Sequence, residues 1–250
     1  MTDRPTSLFR VRVRRAALAL FVAVSPPSGY FAYRMFTGNL AVVEPGRIYR
    51  SAQMNAGQLT ATIRDQGIRT VINLRGRNPS NSWYNQELDA TLKARATHVD
   101  LPMASDQWLA RSQIRTLVET LDTSEYPILI HCQFGAERTG LVSAYSVLLR
   151  PGGTMEEARG QFSAAYLFLP IKDGATMIAQ LDAYASWLGN QKIAHAPEHF
   201  RRWLADEYRP GSPSREFWPY DPYPLRVVIW PEGAGPYAKT AGVNPAARVR

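Results

Sequence analysis

The feature that most constrains this chain is an alternation of two hydrophobic rhythms. Short apolar runs of strand type fall at Arg47–Arg50, Thr70–Leu74, Thr97–Met103 and Pro127–His131. Between and after them lie segments of helical character: Ala56–Asp65, stopped by Gly67, then Trp83–Arg95, Leu109–Leu121 and Thr139–Leu149. In Leu109–Leu121 the residues Ile114, Leu117, Val118 and Leu121 recur at helical spacing and mark one face. Thr154 followed by Glu157 predicts a capping box for a further helix. Ala175–Leu188 repeats Ile178, Leu181, Ala185 and Leu188 on one face. Strands that alternate with helices in this way predict an α/β domain, a largely parallel sheet flanked by helices. It is placed at residues 38–190.

The ends differ from this middle. The first fifteen residues hold five arginines against one aspartate, half of the net charge of +8. Ala16–Val24 is wholly apolar, and Ser25-Pro26-Pro27-Ser28-Gly29 is expected to interrupt it. A basic start before an apolar run is the charge order of a signal peptide or an uncleaved signal anchor. The run through Tyr33 is a marginal length for a span of about 20 residues. A soluble basic tail is the remaining alternative. In the first two cases, residues 1–37 put the rest of the chain outside the cytoplasm, at an inner membrane with a periplasmic catalytic domain. The charge is then topological. No basic stripe interleaved with aromatics occurs elsewhere, so no nucleic-acid partner is expected. Residues 191–250 read as one helix, Glu198–Tyr208, then a proline-rich extension unsuited to helices or central strands. Its aromatics Phe217, Trp218, Tyr220, Tyr223 and Trp230 suggest that it clings to the domain. One cysteine excludes an internal disulfide and a Cys-rich zinc module; four histidines leave a zinc site open, though no HExxH or His-x-His pair is present, and no cofactor is expected.

That cysteine sits in the one segment with the marks of chemistry, Ile128–Gly140, ILIHCQFGAERTG. A buried strand ends at His131, Cys132 opens a loop, Arg138 closes it, and an apolar helix begins there. Loop amides and a helix N-terminus then converge on one point, which makes an anion site. Gly135 allows a tight turn. Arg138 can hold two phosphate oxygens at once. A thiol in such a cradle has its pKa lowered and becomes a nucleophile aimed at phosphorus. The hydroxyl of Thr139 could reach the sulfur, and His131 could fix the loop. The plain alternative for a lone cysteine after a buried strand is a small core residue.

HCQFGAERTG resembles the H-C-x-x-G-x-x-R-[ST]-G loop of cysteine-dependent protein tyrosine and dual-specificity phosphatases. GRIYRSAQ and TVINLRG upstream are similar to segments of a compact bacterial and fungal subgroup, some bacterial members of which are exported. The resemblance covers residues 39–190. It implies a five-stranded α/β fold, no metal, and a cysteinyl-phosphate intermediate. It further implies Cys132 as nucleophile, Arg138 as phosphate ligand, Thr139 as the neighbouring hydroxyl, and Gln133, Phe134, Gly135, Ala136 and Glu137 as the amide cradle.

The leaving oxygen needs a proton, and two upstream carboxylates compete. Asp106, past Pro102 on the loop leaving a strand, matches the family's position for the acid. Asp100 lies within the predicted strand and does not. Asp106 could equally be the N-cap of a helix starting near Trp108. Arg75 is expected to make a surface salt bridge with Glu87, and Trp83, Tyr84 and Trp108 either line the mouth or cap the core. Ala136 and Glu137 stand where inositol-phosphate phosphatases of this class often carry basic residues, so a singly phosphorylated substrate such as protein phosphotyrosine is favoured, with phosphoserine or phosphothreonine next. Alternatives are an inositol phosphate phosphatase, a rhodanese-like sulfurtransferase and an inactive phosphate-binding module. The rhodanese loop commonly places four residues between Cys and Arg; here there are five.

Overall fold

The computed structural model describes residues 6–216 and 225–235. The chain divides into two compact units, Met1–Thr37 and Gly38 onward. In the first, a helix α1 runs Thr6–Phe36 without a break and carries Pro26 and Pro27 inside it. The expected interruption at the proline pair is therefore absent. Each proline removes a backbone donor and crowds the carbonyl one turn earlier, so the helix continues here at a cost. Arg12–Phe36 is long and apolar enough to cross a membrane, a property shared by anchors and signal sequences.

The second unit is built on a sheet of six strands: β1 (Ala41–Glu44), β2 (Ile48–Ser51), β3 (Thr70–Asn73), β4 (Thr97–Asp100), β5 (Ile128–His131) and β6 (Val227–Ile229). Their order is β1-β2-β5-β3-β4-β6. The four inner strands are parallel, and both edge pairs, β1 with β2 and β4 with β6, are antiparallel. The anticipated five strands thus become six among the described residues, and the strand at 97 stops at Asp100 rather than Met103. The added edges are short, and β6 comes from the proline-rich extension, in the edge position where prolines nearby do least harm.

Helices follow the parallel strands: α2 (Ala56–Gln66), α3 (Ser82–Lys93), α4 (Arg111–Thr123), α5 (Glu137–Leu149), α6 (Met155–Gly160), α7 (Asp173–Gln191) and α8 (Pro197–Arg202). After α8 a π-helical turn spans Trp203–Glu207. Gly67 ends α2 in the left-handed conformation, at φ 64°. Thr154 and Glu157 form both bonds of the capping box of α6. The helix expected from Leu109 starts only at Arg111, behind Ala110.

Strand alternation sorts side chains into two cores. Tyr49, Val71 and Leu129 face α2 and α3 and pack with Leu59, Ile63 and Ala90. Ile48, Ile72, Ile128 and Ile130 face the other way, into a larger core with Leu117, Leu141, Tyr145, Leu181 and Phe200. Both faces are covered, so the inner strands carry near-continuous apolar residues. Of the extension's aromatics, Phe217, Trp218, Tyr220 and Tyr223 lie outside the described residues. Trp230 is exposed, so it is β6 and residues 208–216, not this ring, that hold the extension to the domain.

Candidate active site

The site lies where the parallel strands end, the usual place for a crevice in an α/β sheet. Cys132 follows β5 directly, and its side chain is almost fully buried, at 1% exposure. The next four residues turn the chain into α5. Gly135 makes the turn possible: its φ is +70°, and a Cβ there would stand 2.6 Å from the Ser51 carbonyl and the Ala52 nitrogen. The loop is pressed onto the end of β2, and only glycine fits the contact.

Two buried residues, Arg50 and Asn39, and the half-buried Gln53 hold the outer side of the loop by its carbonyls. The Arg50 guanidinium donates to the Gly135 carbonyl at 2.8 Å and to the Gln161 carbonyl at 2.7 Å, beneath the ring of Tyr166. Asn39 Nδ2 donates to the Phe134 carbonyl at 2.8 Å. The Gln53 amide donates to the Gln133 carbonyl at 3.1 Å. With carbonyls drawn outward, the amides of the turn are left to face the sulfur, as in an anion-binding nest. Arg138, in the first turn of α5, is braced by the carbonyls of Met103 and Leu74 at 3.2 and 3.4 Å, while its buried Nε has no protein partner.

Burial pushes the Cys132 thiol up. The charge of Arg138, the hydroxyl and amide of Thr139 and the amide of Gly135 together outweigh it, and the pKa lies below the ordinary thiol value. Thr139 Oγ1 is buried and makes no other hydrogen bond of standard geometry, so the sulfur is its one polar neighbour of consequence.

Behind the loop lies a buried polar cluster on the α3 face of the sheet. His131 Nε2 meets Glu87 Oε1 at 3.0 Å. Burial opposes a charge on either group. The ion pair and its hydrogen bond prevail, raising the His131 pKa and lowering that of Glu87. Gln53 also donates to Glu87, and His98 approaches it at 3.9 Å. Asp100 accepts from Tyr84 at 2.6 Å and Asn73 at 2.9 Å, and contacts His98 at 3.0 Å.

This arrangement corrects several expectations. Glu87 makes no salt bridge with Arg75. The turn of α3 carries it inward to His131, and Arg75 instead donates to Gln53 at 3.0 Å and lies 3.5 Å over the Trp83 ring. Tyr84 is core, bound to Asp100, rather than mouth. Asp100 is fully engaged as an acceptor. Asp106 is exposed on the loop between β4 and α4, four residues short of the helix N-cap at Ala110, so it caps nothing there. Gln133 and Phe134 are exposed, Gly135 and Ala136 buried, Glu137 half-buried. Arg50, Asn39 and Gln53 are positioning residues that the sequence reading does not single out. They act through backbone carbonyls far along the chain, which leaves no local signal. Among the described residues no group of His, Cys, Asp and Glu side chains is placed to hold a metal ion.

A buried, acidified cysteine in an amide cradle closed by an arginine defines a phosphate-handling thiol site. The family described as "DSP-PTPase phosphatase fused to NAD+ Kinase" matches residues 36–169, more than half of the chain. The protein therefore belongs to this dual-specificity phosphatase-like family of hydrolases. Among solved structures, it is similar to TpbA of P. aeruginosa, at 23% identity over 61% of this chain and 91% of that one, with a TM-score of 0.45. It is also similar to the catalytic core of the PP-IP phosphatase SIW14 of S. cerevisiae, at 16% identity over 63% and 96%, with a TM-score of 0.45. No curated protein matches the chain.

Proposed function

We propose that this protein hydrolyses phosphomonoesters through a cysteinyl-phosphate, with protein phosphotyrosine as the favoured substrate. The observation that carries the proposal is the geometry at Cys132: a buried thiol at the start of a glycine turn held by Arg50, with Arg138 braced beside it, an arrangement that holds its pKa below the ordinary thiol value. The loop amides and Arg138 bind three phosphoryl oxygens. The Cys132 thiolate attacks phosphorus, and the bond to the leaving oxygen breaks as Asp106 gives that oxygen a proton. Water then attacks the phosphocysteine, Asp106 takes its proton, and the thiolate leaves with the Thr139 hydroxyl beside it. Inorganic phosphate departs, and the enzyme is restored. The likeness of HCQFGAERTG to the loop of tyrosine and dual-specificity phosphatases favours phosphotyrosine, with phosphoserine or phosphothreonine next. Glu137, in the first turn of α5, disfavours further phosphates on the same side.

The test is hydrolysis of p-nitrophenyl phosphate and a phosphotyrosine peptide. Wild type should turn over both. Cys132→Ser should turn over neither, and Asp106→Asn should lose about 10²–10⁴ in rate on the peptide. An unaffected Asp106→Asn would remove the acid assignment, and thiosulfate turnover in place of phosphate release would favour the sulfurtransferase.

The organisation proposed with this function is a membrane segment at 1–37, a catalytic domain at 38–190 and an extension at 191–250. The five arginines before the apolar run Ala16–Val24 favour an extracytoplasmic catalytic domain. A reporter fused after Asn39 should be active only outside the cytoplasm; a cytoplasmic signal overturns this orientation.

A further inference from the structure

Beside the cysteine cradle lies a cavity of about 260 Å³ that the phosphate chemistry does not use. One wall is the loop after β3, with Arg75 and Arg77. A second is the loop after β4, with Met103 and Trp108, on either side of Asp106. The third comes from the extension, with Arg215 and Val227. It opens at the same end of the sheet as Cys132, and two contacts join it to the cradle. The Met103 carbonyl braces Arg138, and Arg75 feels both the Arg138 and Cys132 charges.

Among the described residues, the cavity is lined by Arg75, Arg77 and Arg215 and by one carboxylate, Asp100, which already accepts from Tyr84 and Asn73. Arg75 is held in place by Gln53 and Trp83, so its charge is positioned in advance. The apolar part of the wall suits the carbon body of a side chain, and the arginines suit an anionic head. Arg215 and Val227 lie outside the segment that matches the family, so this wall belongs to the present chain.

Resting on the hydrolytic reading above, we propose that this cavity is a second anion-recognition site, which takes a carboxylate or phosphate on the substrate protein near the scissile phosphotyrosine. Its walls are the loops after β3 and β4 and the extension, and Glu137 is not among its lining residues. The enzyme would then select phosphotyrosines in acidic or multiply phosphorylated sequence.

The experiment uses the full chain and a phosphotyrosine peptide whose flanking positions are replaced in turn by Gln, Glu or a second phosphotyrosine. The readout is the ratio of kcat/KM for each anionic peptide over its Gln counterpart. Wild type should show a ratio of about tenfold at one or more positions, equivalent to 1.4 kcal/mol. Glu active at such a position identifies a carboxylate ligand, and only phosphotyrosine active identifies a phosphate. Arg77→Glu, on an exposed side chain, and Arg215→Ala should each bring the ratio towards one. A ratio of one throughout in wild type, or one unchanged in both variants, overturns the site. Peptide binding to Cys132→Ser separates this from the hydrolytic reading. Acid-selective binding alongside a wild type that hydrolyses nothing would sink the hydrolysis and keep the site. Binding blind to the flanking charge would sink the site alone.

Discussion

Glu87 shows how far a single residue can lie from its obvious reading. It is 2% exposed, and its charge is held by His131 with help from His98 and Gln53. His131 in turn precedes Cys132 and contacts its carbonyl at 3.5 Å. The pair predicts a particular pH dependence. The His131 pKa is raised, so its contribution to stability is full below the ordinary histidine value and fades as pH rises through the raised one. The Glu87 pKa is lowered, so its contribution is full above the ordinary carboxylate value and fades as pH falls through the lowered one. The stability difference between wild type and Glu87→Gln should therefore be a dome, highest between those two ordinary values. Its top should reach about 3–5 kcal/mol, the cost of breaking a buried pair. Urea midpoints across pH measure it, and a flat difference would show that the pair is not ionised. At this scale, what was legible in sequence was what is contiguous. Cys132, Arg138 and Thr139 share one loop, and their spacing speaks for them. Glu87 and Arg75 lie twelve positions apart with opposite charges, which invited a salt bridge. The fold instead spends Glu87 on a histidine that sequence distance hides.

The elements hold the cradle through contact rather than through charge, and glycines test that. Gly135 and Gly67 have nearly the same φ, at +70° and +64°. A Cβ on Gly67 meets nothing within 4 Å, whereas one on Gly135 meets the backbone of β2 at 2.6 Å. Gly67→Ala should therefore cost only the left-handed penalty, about 1–2 kcal/mol. Gly135→Ala should add an overpacking term of about 1–3 kcal/mol and displace the loop amides from the sulfur, so that turnover falls more than stability does. Chemical denaturation beside steady-state rates separates the two effects; equal losses in both variants would mean that the β2 contact yields. The inner elements were readable because each has a clear rhythm: apolar strands of four residues buried on both faces, and helices with one apolar face. The edges were not. In β1 the strand shows mixed burial with no clean alternation, and β6 has three residues amid prolines. Edge strands of that length depend on the neighbour they pair with, here β2 and β4, and that partner is not written in the local sequence.

Across the whole unit from Gly38 onward, the extension reaches back over the loop that carries Asp106. Trp108 donates its backbone N–H to the Pro213 carbonyl at 2.8 Å, and Gly211 lies so close to the Trp108 ring that a Cβ would sit 2.6 Å from it. Glu216 accepts the Arg111 N–H at 2.7 Å and pairs with its guanidinium. On the loop's other flank, Ser105 donates to Asp173 of α7 at 2.8 Å. In the proposed mechanism, a loop fixed on both sides of Asp106 would deliver the proton from a defined place, and geometry of this kind is worth a large factor in rate. Deletion of residues 211–250 should accordingly lower kcat on the phosphotyrosine peptide towards the level of Asp106→Asn, with alkylation of Cys132 by iodoacetamide unaltered, since among the described residues the hydrogen bonds of Arg138 and the cradle go to Asn39, Arg50, Gln53, Leu74 and Met103. The deletion also strips β6 from β4, and a fall in stability alone could lower the rate. Gly211→Val keeps β6 and presses only on the Trp108 ring, so it should reduce kcat while the unfolding midpoint moves little. If both variants keep full kcat with an intact thiol, the strap serves the fold alone, and the Asp106 loop finds its position without it.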